Sequence, residues 1–80
     1  MIAELKQLGF KREYGEDKTT YCYNLHIKSM YFNQPVISVT RGETYVYVLE
    51  DEFLEQQNPA LIYFGSYDIQ VIKHFIKILK

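Results

Sequence analysis

The sequence is poor in cysteine and in glycine, and both shortages exclude classes of protein. Its one cysteine, Cys22, cannot form an intramolecular disulfide, so the chain does not require an oxidising compartment. The N-terminus has no basic region followed by an apolar stretch, and no apolar run approaches the length of a membrane span. We therefore expect a cytoplasmic protein with no membrane partner.

The four glycines are scattered along the chain, whereas phosphate-binding loops need several glycines close together. No nucleotide-binding fingerprint is therefore present. Charge is nearly balanced as well, because nine Lys and Arg against ten Asp and Glu leave a net charge of −1. No overall field then attracts the chain to nucleic acid or to an acidic membrane, and no cofactor is expected.

The length and composition predict one small, compact domain over residues 1–80. Of the 80 residues, 48% are apolar and 24% are charged, which is typical of folded proteins rather than disordered ones. A chain of this length buries only about 60% of its unfolded surface on folding. The core is therefore expected to be thin, which argues against a deep substrate cavity.

Helical spacing of apolar residues occurs at both ends of the sequence. Leu5 and Leu8 are three residues apart, and Gly9 stands where a left-handed glycine would end a helix. A second helix is expected after Ser66, which we interpret as its N-cap, with Asp68 in the first turn. Its apolar residues recur at helical spacing: Ile69, Ile72, Phe75, Ile76 and Leu79.

The residues between the helices alternate as strands do. Candidate strands occupy 10–14, 19–27, 36–40, 45–49 and 61–64. Gly42 supplies the positive φ that a tight hairpin requires. The order of helix, three to five antiparallel strands and helix predicts an α+β fold. We expect a two-layer sandwich with an N-terminal and a C-terminal helix on one face of the sheet.

Cys22 and His26 are the residues best suited to catalysis or metal binding, yet their surroundings do not fit either role. On one strand they lie about 13 Å apart, too far to share one ion. Cys22 has no basic neighbour in sequence to stabilise a thiolate, and Ser66 lacks the second glycine of a nucleophile elbow. An enzyme using Cys22 or His26 is therefore the least favoured hypothesis, and no catalytic or metal site is predicted.

Two charged clusters suggest binding rather than catalysis. Four acidic residues lie close together at Glu50, Asp51, Glu52 and Glu55. We expect a solvated connection there, which could be helix or loop. The alternative is that these residues attract a basic surface of a partner. Lys73, Lys77 and Lys80 form a basic ridge on the final helix, and the many aromatic residues are suited to stacking on bases. Nucleic-acid binding by these lysines is the alternative hypothesis, disfavoured by the slightly acidic chain.

Tyrosine is the unusual residue, with eight copies and no tryptophan. If the valines between them face the helices, Tyr45 and Tyr47 lie on the uncovered sheet face, where tyrosine is typical of protein interfaces. An expected loop carries an apolar triplet, which consists of Met30, Tyr31 and Phe32. Half-buried strand positions also collect tyrosine, and this plainer interpretation stays open.

The favoured hypothesis is a small non-enzymatic domain that binds another protein or regulates one. It would use Tyr45 and Tyr47, the Met30–Phe32 loop or the acidic segment. A composition rich in isoleucine, lysine, tyrosine and phenylalanine is typical of AT-rich genomes, which fits an accessory protein of a phage or mobile element. A sheet edge that pairs with a second copy would give a homodimer.

Overall fold

A computed structural model describes residues 2–15, 17–49 and 59–80. The elements are α1 (Ile2–Gln7), β1 (Lys11–Tyr14), β2 (Tyr21–His26), β3 (Val36–Thr40), β4 (Glu43–Leu49), β5 (Pro59–Ser66) and α2 (Ile69–Leu79). The five strands form one antiparallel sheet in the order β1-β2-β3-β4-β5. The predicted α+β fold is therefore confirmed, while the acidic cluster at 50–55 lies outside the described residues.

Both helices pack on the same face of the sheet. One buried core joins α1, α2 and the three central strands, and it consists of Leu5, Phe10, Tyr23, Ile27, Ile37, Val39, Val46, Ile72 and Leu79. Burying a large apolar side chain contributes about 1.5–3 kcal/mol to folding. This layer of side chains is therefore the main source of stability in the described residues.

The end of α1 follows directly from the Leu8-Gly9-Phe10 sequence. Gly9 has φ +98°, a left-handed conformation that costs least for glycine. The Phe10 amide donates to the Leu5 carbonyl at 3.0 Å, and the Gly9 amide donates to the Lys6 carbonyl at 3.1 Å. These two bonds define a Schellman motif, and Phe10 and Leu5 are both buried in the core. The predicted helix stop is confirmed.

The predicted start of α2 is wrong by two residues. Ser66 is the last residue of β5 and pairs with Glu43 of β4. The cap is Asp68, whose Oδ1 accepts a hydrogen bond from the Gln70 amide at 2.9 Å. Both residue types are good N-caps, so the sequence alone does not distinguish them. Pairing with β4 decides the matter because it keeps Ser66 extended.

The β3–β4 hairpin closes through a two-residue turn. Arg41 has φ +51° and Gly42 has φ +77°, so both central residues are left-handed, as a type I′ turn requires. Gly42 performs the predicted role. Because the turn is this short, β4 begins at Glu43, two residues earlier than the alternation indicated.

Candidate protein-binding surface

The sheet face away from the two helices, called the open face below, carries the two tyrosines that the sequence indicated. Val46 is fully buried in the core, so Tyr45 and Tyr47 on either side of it point to the opposite face. Strand pairing places further side chains with them: Glu13, Cys22, Asn24, His26, Val36, Ser38, Leu61 and Phe64. The predicted orientation is confirmed, and the binding role stays a prediction.

The half of the open face formed by β1 and β2 is polar. His26 Nε2 and Glu13 Oε1 lie 2.6 Å apart, and both side chains are substantially exposed. The half-buried Cys22 thiol donates instead to the Glu13 backbone oxygen, at 3.9 Å. Cys22 and His26 therefore contact different atoms of one residue, Glu13, and no described hydrogen bond joins the thiol to the imidazole as nucleophile and base.

The centre of the open face carries buried polar side chains. Asn24 and Ser38 pair across β2 and β3, and each is only 8% exposed although no described helix packs over them. Tyr47 is half-buried beside them, and burial raises its pKa, with smaller contributions from Cys22 and Glu13. The centre of the open face therefore combines two buried polar side chains with a half-buried tyrosine.

The half of the open face formed by β4 and β5 is apolar and exposed. The Tyr45 and Phe64 rings lie 4.9 Å apart at an interplanar angle of 40°. Tyr45 Oη donates to Glu43 Oε2 at 2.7 Å, and this hydrogen bond raises the pKa of Tyr45. Leu61, Ile62 and Phe64 are 61%, 45% and 55% exposed. We call Tyr45, Leu61, Ile62 and Phe64 the apolar patch.

A β-bulge explains why consecutive apolar residues are exposed in β5. Val46 pairs with Tyr63 and Tyr47 pairs with Leu61, so Ile62 is an extra residue without a partner in β4. Sequence analysis identified 61–64 as a short strand but missed these residues as surface. A continuous apolar run has no period that separates one face from the other. The position of 61–64 as the last strand in the sequence is the available signal of exposure, because the last strand of a meander lies at an edge of its sheet.

The loop between β2 and β3 exposes the predicted apolar triplet. Met30, Tyr31 and Phe32 are 89%, 81% and 41% exposed. Ser29 Oγ accepts hydrogen bonds from the Tyr31 and Phe32 amides at 3.1 and 3.0 Å, which gives the loop a local turn. This loop lies at the same end of the sheet as the start of β5. The triplet is therefore an exposed surface separate from the centre of the open face.

The basic ridge lies on the other side of the sheet from the open-face tyrosines. Lys73, Lys77 and Lys80 are all exposed on or just after α2, which covers the opposite face. The structure thus separates the basic residues from Tyr45 and Tyr47 by the thickness of the sheet. A nucleic-acid site that combines these lysines with those two stacking rings does not form.

An open cleft of about 770 Å³ lies at the end of the sheet that holds the β3–β4 hairpin. Its lining includes Tyr21 and Tyr23 of β2 and Arg41, Gly42 and Glu43 of the hairpin. Neither Cys22 nor His26 contributes to it. The cleft therefore contains one carboxylate and no thiol or imidazole, and it does not assemble the residues of the enzyme hypothesis.

Within residues 2–15, 17–49 and 59–80, no group of three or more His, Cys, Asp or Glu side chains is arranged to hold a metal ion. Neither α1 nor α2 is long and apolar enough to cross a membrane. The chain matches no protein-family model, and comparison with curated proteins and with solved structures found no match. The residues of the surface itself are therefore the basis for any functional proposal.

Proposed function

We propose that this chain is a small non-enzymatic domain that binds another protein through its open face. The observation that carries the proposal is the apolar patch, where Leu61 and Phe64 are more than half exposed on a face without a described helix. Contiguous exposed apolar surface is typical of interaction sites in folded proteins. An apolar centre with a polar rim is the usual anatomy of such a site.

The tyrosines supply the second support for a protein partner. Tyr45 and Tyr47 combine a large apolar ring with a hydroxyl, and tyrosine side chains lose little conformational entropy on binding. Glu43 and Glu13 lie on the same face as the tyrosines, and Lys11 joins them there through its pairing with Asn24, so this face carries charges of both signs and not the cluster of cations that phosphate contacts need. A polypeptide surface suits this mixture better than a phosphate backbone does.

The setting proposed with this function is that of a cytoplasmic accessory protein, of phage or mobile-element origin. Composition and small size are its support, because isoleucine, lysine, tyrosine and phenylalanine are abundant. The Met30–Phe32 loop is a candidate extension of the binding surface, since Met30 and Tyr31 are highly exposed and the loop is not part of the core cluster.

Affinity capture from the native host lysate, treated with nuclease, tests the proposal. The baits are the wild type, a Tyr45→Ala/Phe64→Ala variant and a matched Lys73→Ala/Lys77→Ala variant. We expect the wild type and the lysine variant to retain one stoichiometric protein partner, and the patch variant to lose it by at least about tenfold. Circular dichroism checks that all three fold.

Two outcomes would contradict the proposal. Retention of the partner by the patch variant would remove the open face as the site. Recovery that requires intact nucleic acid, disappears in the lysine variant and weakens steeply with salt would favour the alternative function, because phosphate contacts release counterions. A Tyr31→Ala/Phe32→Ala bait decides separately whether the loop belongs to the surface.

A further inference from the structure

The two edges of the sheet have opposite character. β1 has four residues, and three of them are charged: Lys11, Arg12 and Glu13. β5 has eight residues and none is charged. Short, charged edge strands resist pairing with another chain, whereas long, apolar ones favour it. Of the two edges, β5 has more of the character of a pairing site, although Pro59 at its start and the bulge at Ile62 interrupt the edge.

The outer edge of β5 is available in the described structure. β5 pairs with β4 on one side, and no described strand pairs with its other side. An outer edge presents unpaired backbone amides and carbonyls that can extend a sheet. At about 3.4 Å per residue, eight residues present an edge of about 27 Å. This is long enough for a ladder of several residue pairs.

We propose that β5 pairs antiparallel with β5 of a second copy of this chain, so that two sheets join into one of ten strands. A second copy is the fitting occupant because the edge is uncharged. Two identical uncharged strands meet without repulsion, whereas a charged peptide would find no complementary side chain along 59–66. This inference shares Leu61, Ile62 and Phe64 with the proposed function but assigns a different contact, the backbone edge of β5, so each can fail without the other.

The bulge in β5 indicates the register of the pairing. A two-fold axis between Ile62 and Tyr63 places Leu61 opposite Phe64, and both belong to the open face. It also places Ala60 opposite Gly65, which both belong to the helix-covered face through their partners Val48 and Thr44. The extra residue Ile62 then lies beside the axis in both strands. On either side of it, each residue of one copy is opposite a residue of the other copy that belongs to the same sheet face.

The apolar surface exposed at this edge can supply part of the area that a stable dimer buries. A large apolar side chain has roughly 150–200 Å² of surface, so the exposed parts of Leu61, Ile62 and Phe64 total about 250–300 Å² per copy. The smallest stable interfaces bury about 600 Å² per copy. Leu61 and Phe64 project from the open face and not along the edge, so edge pairing covers only part of this area, and the paired backbone and neighbouring side chains supply more than half of the interface.

Light scattering and sedimentation of the purified protein alone, over micromolar to millimolar concentrations, test the pairing. We expect a species of twice the 9.6 kDa chain mass. Ile62→Lys puts two like charges beside the axis and should weaken self-association by at least about tenfold. The matched control is Met30→Lys, at an exposed apolar residue of the loop, which should leave self-association unchanged.

Hydrogen exchange distinguishes edge pairing from packing of one open face on another. The amides of residues 60–66 that point away from β4 should gain protection as protein concentration rises, while the amides of 11–14 in β1 should not. A monomer at every concentration overturns the proposal, and so does a dimer that Ile62→Lys leaves intact. A dimer without concentration-dependent protection of the β5 amides also overturns it, because its contacts would then lie elsewhere.

Discussion

The two faces of the sheet are built from the same alternating strands and differ in what they bury. On the helix-covered face, Ile37 and Val46 are fully buried beneath Leu5 and Ile72. On the open face, the buried residues include the polar pair Asn24 and Ser38 beside Val36, and the apolar side chains at β5 are exposed. The helix-covered face therefore supplies most of the stability, so the exposed side chains of the open face can serve binding without being required for folding.

The largest test of this comparison substitutes one apolar residue on each face. Ile37→Ala should cost about 2–5 kcal/mol in the free energy of unfolding, because it removes buried methyl groups and leaves a cavity. Total stability for a chain of this length is about 4–12 kcal/mol, so the loss is large. Phe64→Ala should cost less than about 1 kcal/mol because its ring is more than half exposed.

Urea unfolding monitored by circular dichroism measures both changes in the free energy of unfolding. Ile37→Val is the conservative control and should lie between the wild type and Ile37→Ala, at about 0.5–1.5 kcal/mol. A Phe64→Ala effect equal to that of Ile37→Ala would mean that the open face is also part of the stabilising core. That result would contradict the assignment of stability to the helix-covered face alone.

A smaller effect is expected at the cap of α2, the helix that covers the core face. Asp68→Ala removes the acceptor for the Gln70 amide and should cost about 0.5–2 kcal/mol. Ser66→Ala is the matched control, since that residue lies in β5 and does not cap the helix. Equal losses for the two variants in thermal unfolding would restore Ser66 as a contributor to the helix start.

The smallest predicted effect on the free energy of unfolding is expected in the β1–β2 turn, which lies outside both faces. Asp17 Oδ1 accepts hydrogen bonds from the Thr19 and Thr20 amides and from Thr20 Oγ1, and these lower its pKa from 3.8 to about 2. Because the pKa is lower when folded, the stability it contributes is complete above about pH 4. That contribution is lost as the pH falls through 2.

Asp17→Asn should reduce the loss of stability between about pH 4 and pH 2, while its side-chain oxygen can still accept hydrogen bonds from the Thr19 and Thr20 amides. Chemical unfolding between pH 2 and pH 6 provides the measurement. The exposed Glu13→Gln variant, on the open face, should leave this loss nearly unchanged, since exposed ion pairs contribute little. An unchanged loss in Asp17→Asn would assign the acid sensitivity to other carboxylates.

Most of the fold could be predicted because it depends on local signals. Gly9 ends α1 through its own conformation, and alternation around Val46 assigns Tyr45 and Tyr47 to the open face. Ser66 and Asp68 could not be ranked as caps, because the decision depends on pairing with Glu43, 23 residues away in the chain. Local propensity is silent about such long-range pairing.

The candidate surface was only partly predictable for a related reason. Tyrosine and the Met30–Phe32 triplet are conspicuous by residue type, so they could be proposed from composition. Leu61 and Phe64 belong to an uninterrupted apolar run that fits a buried strand equally well. Their exposure depends on the edge position of β5 and on the bulge at Ile62, both of which are properties of the assembled sheet.

The strand order described above also has a consequence for how quickly the chain folds. Each strand pairs with the strand before it in the sequence, so the average separation between contacting residues, the contact order, is low for a β-rich protein. Low contact order reduces the loop-closure entropy that must be overcome in the transition state, so we expect this chain to fold faster than all-β domains of similar size. The contacts between the two ends of the chain, such as Leu5 with Ile72 and Glu4 with Tyr67, are the exception because they close nearly its whole length. Folding that begins in the hairpins would therefore close the two helices over the sheet last.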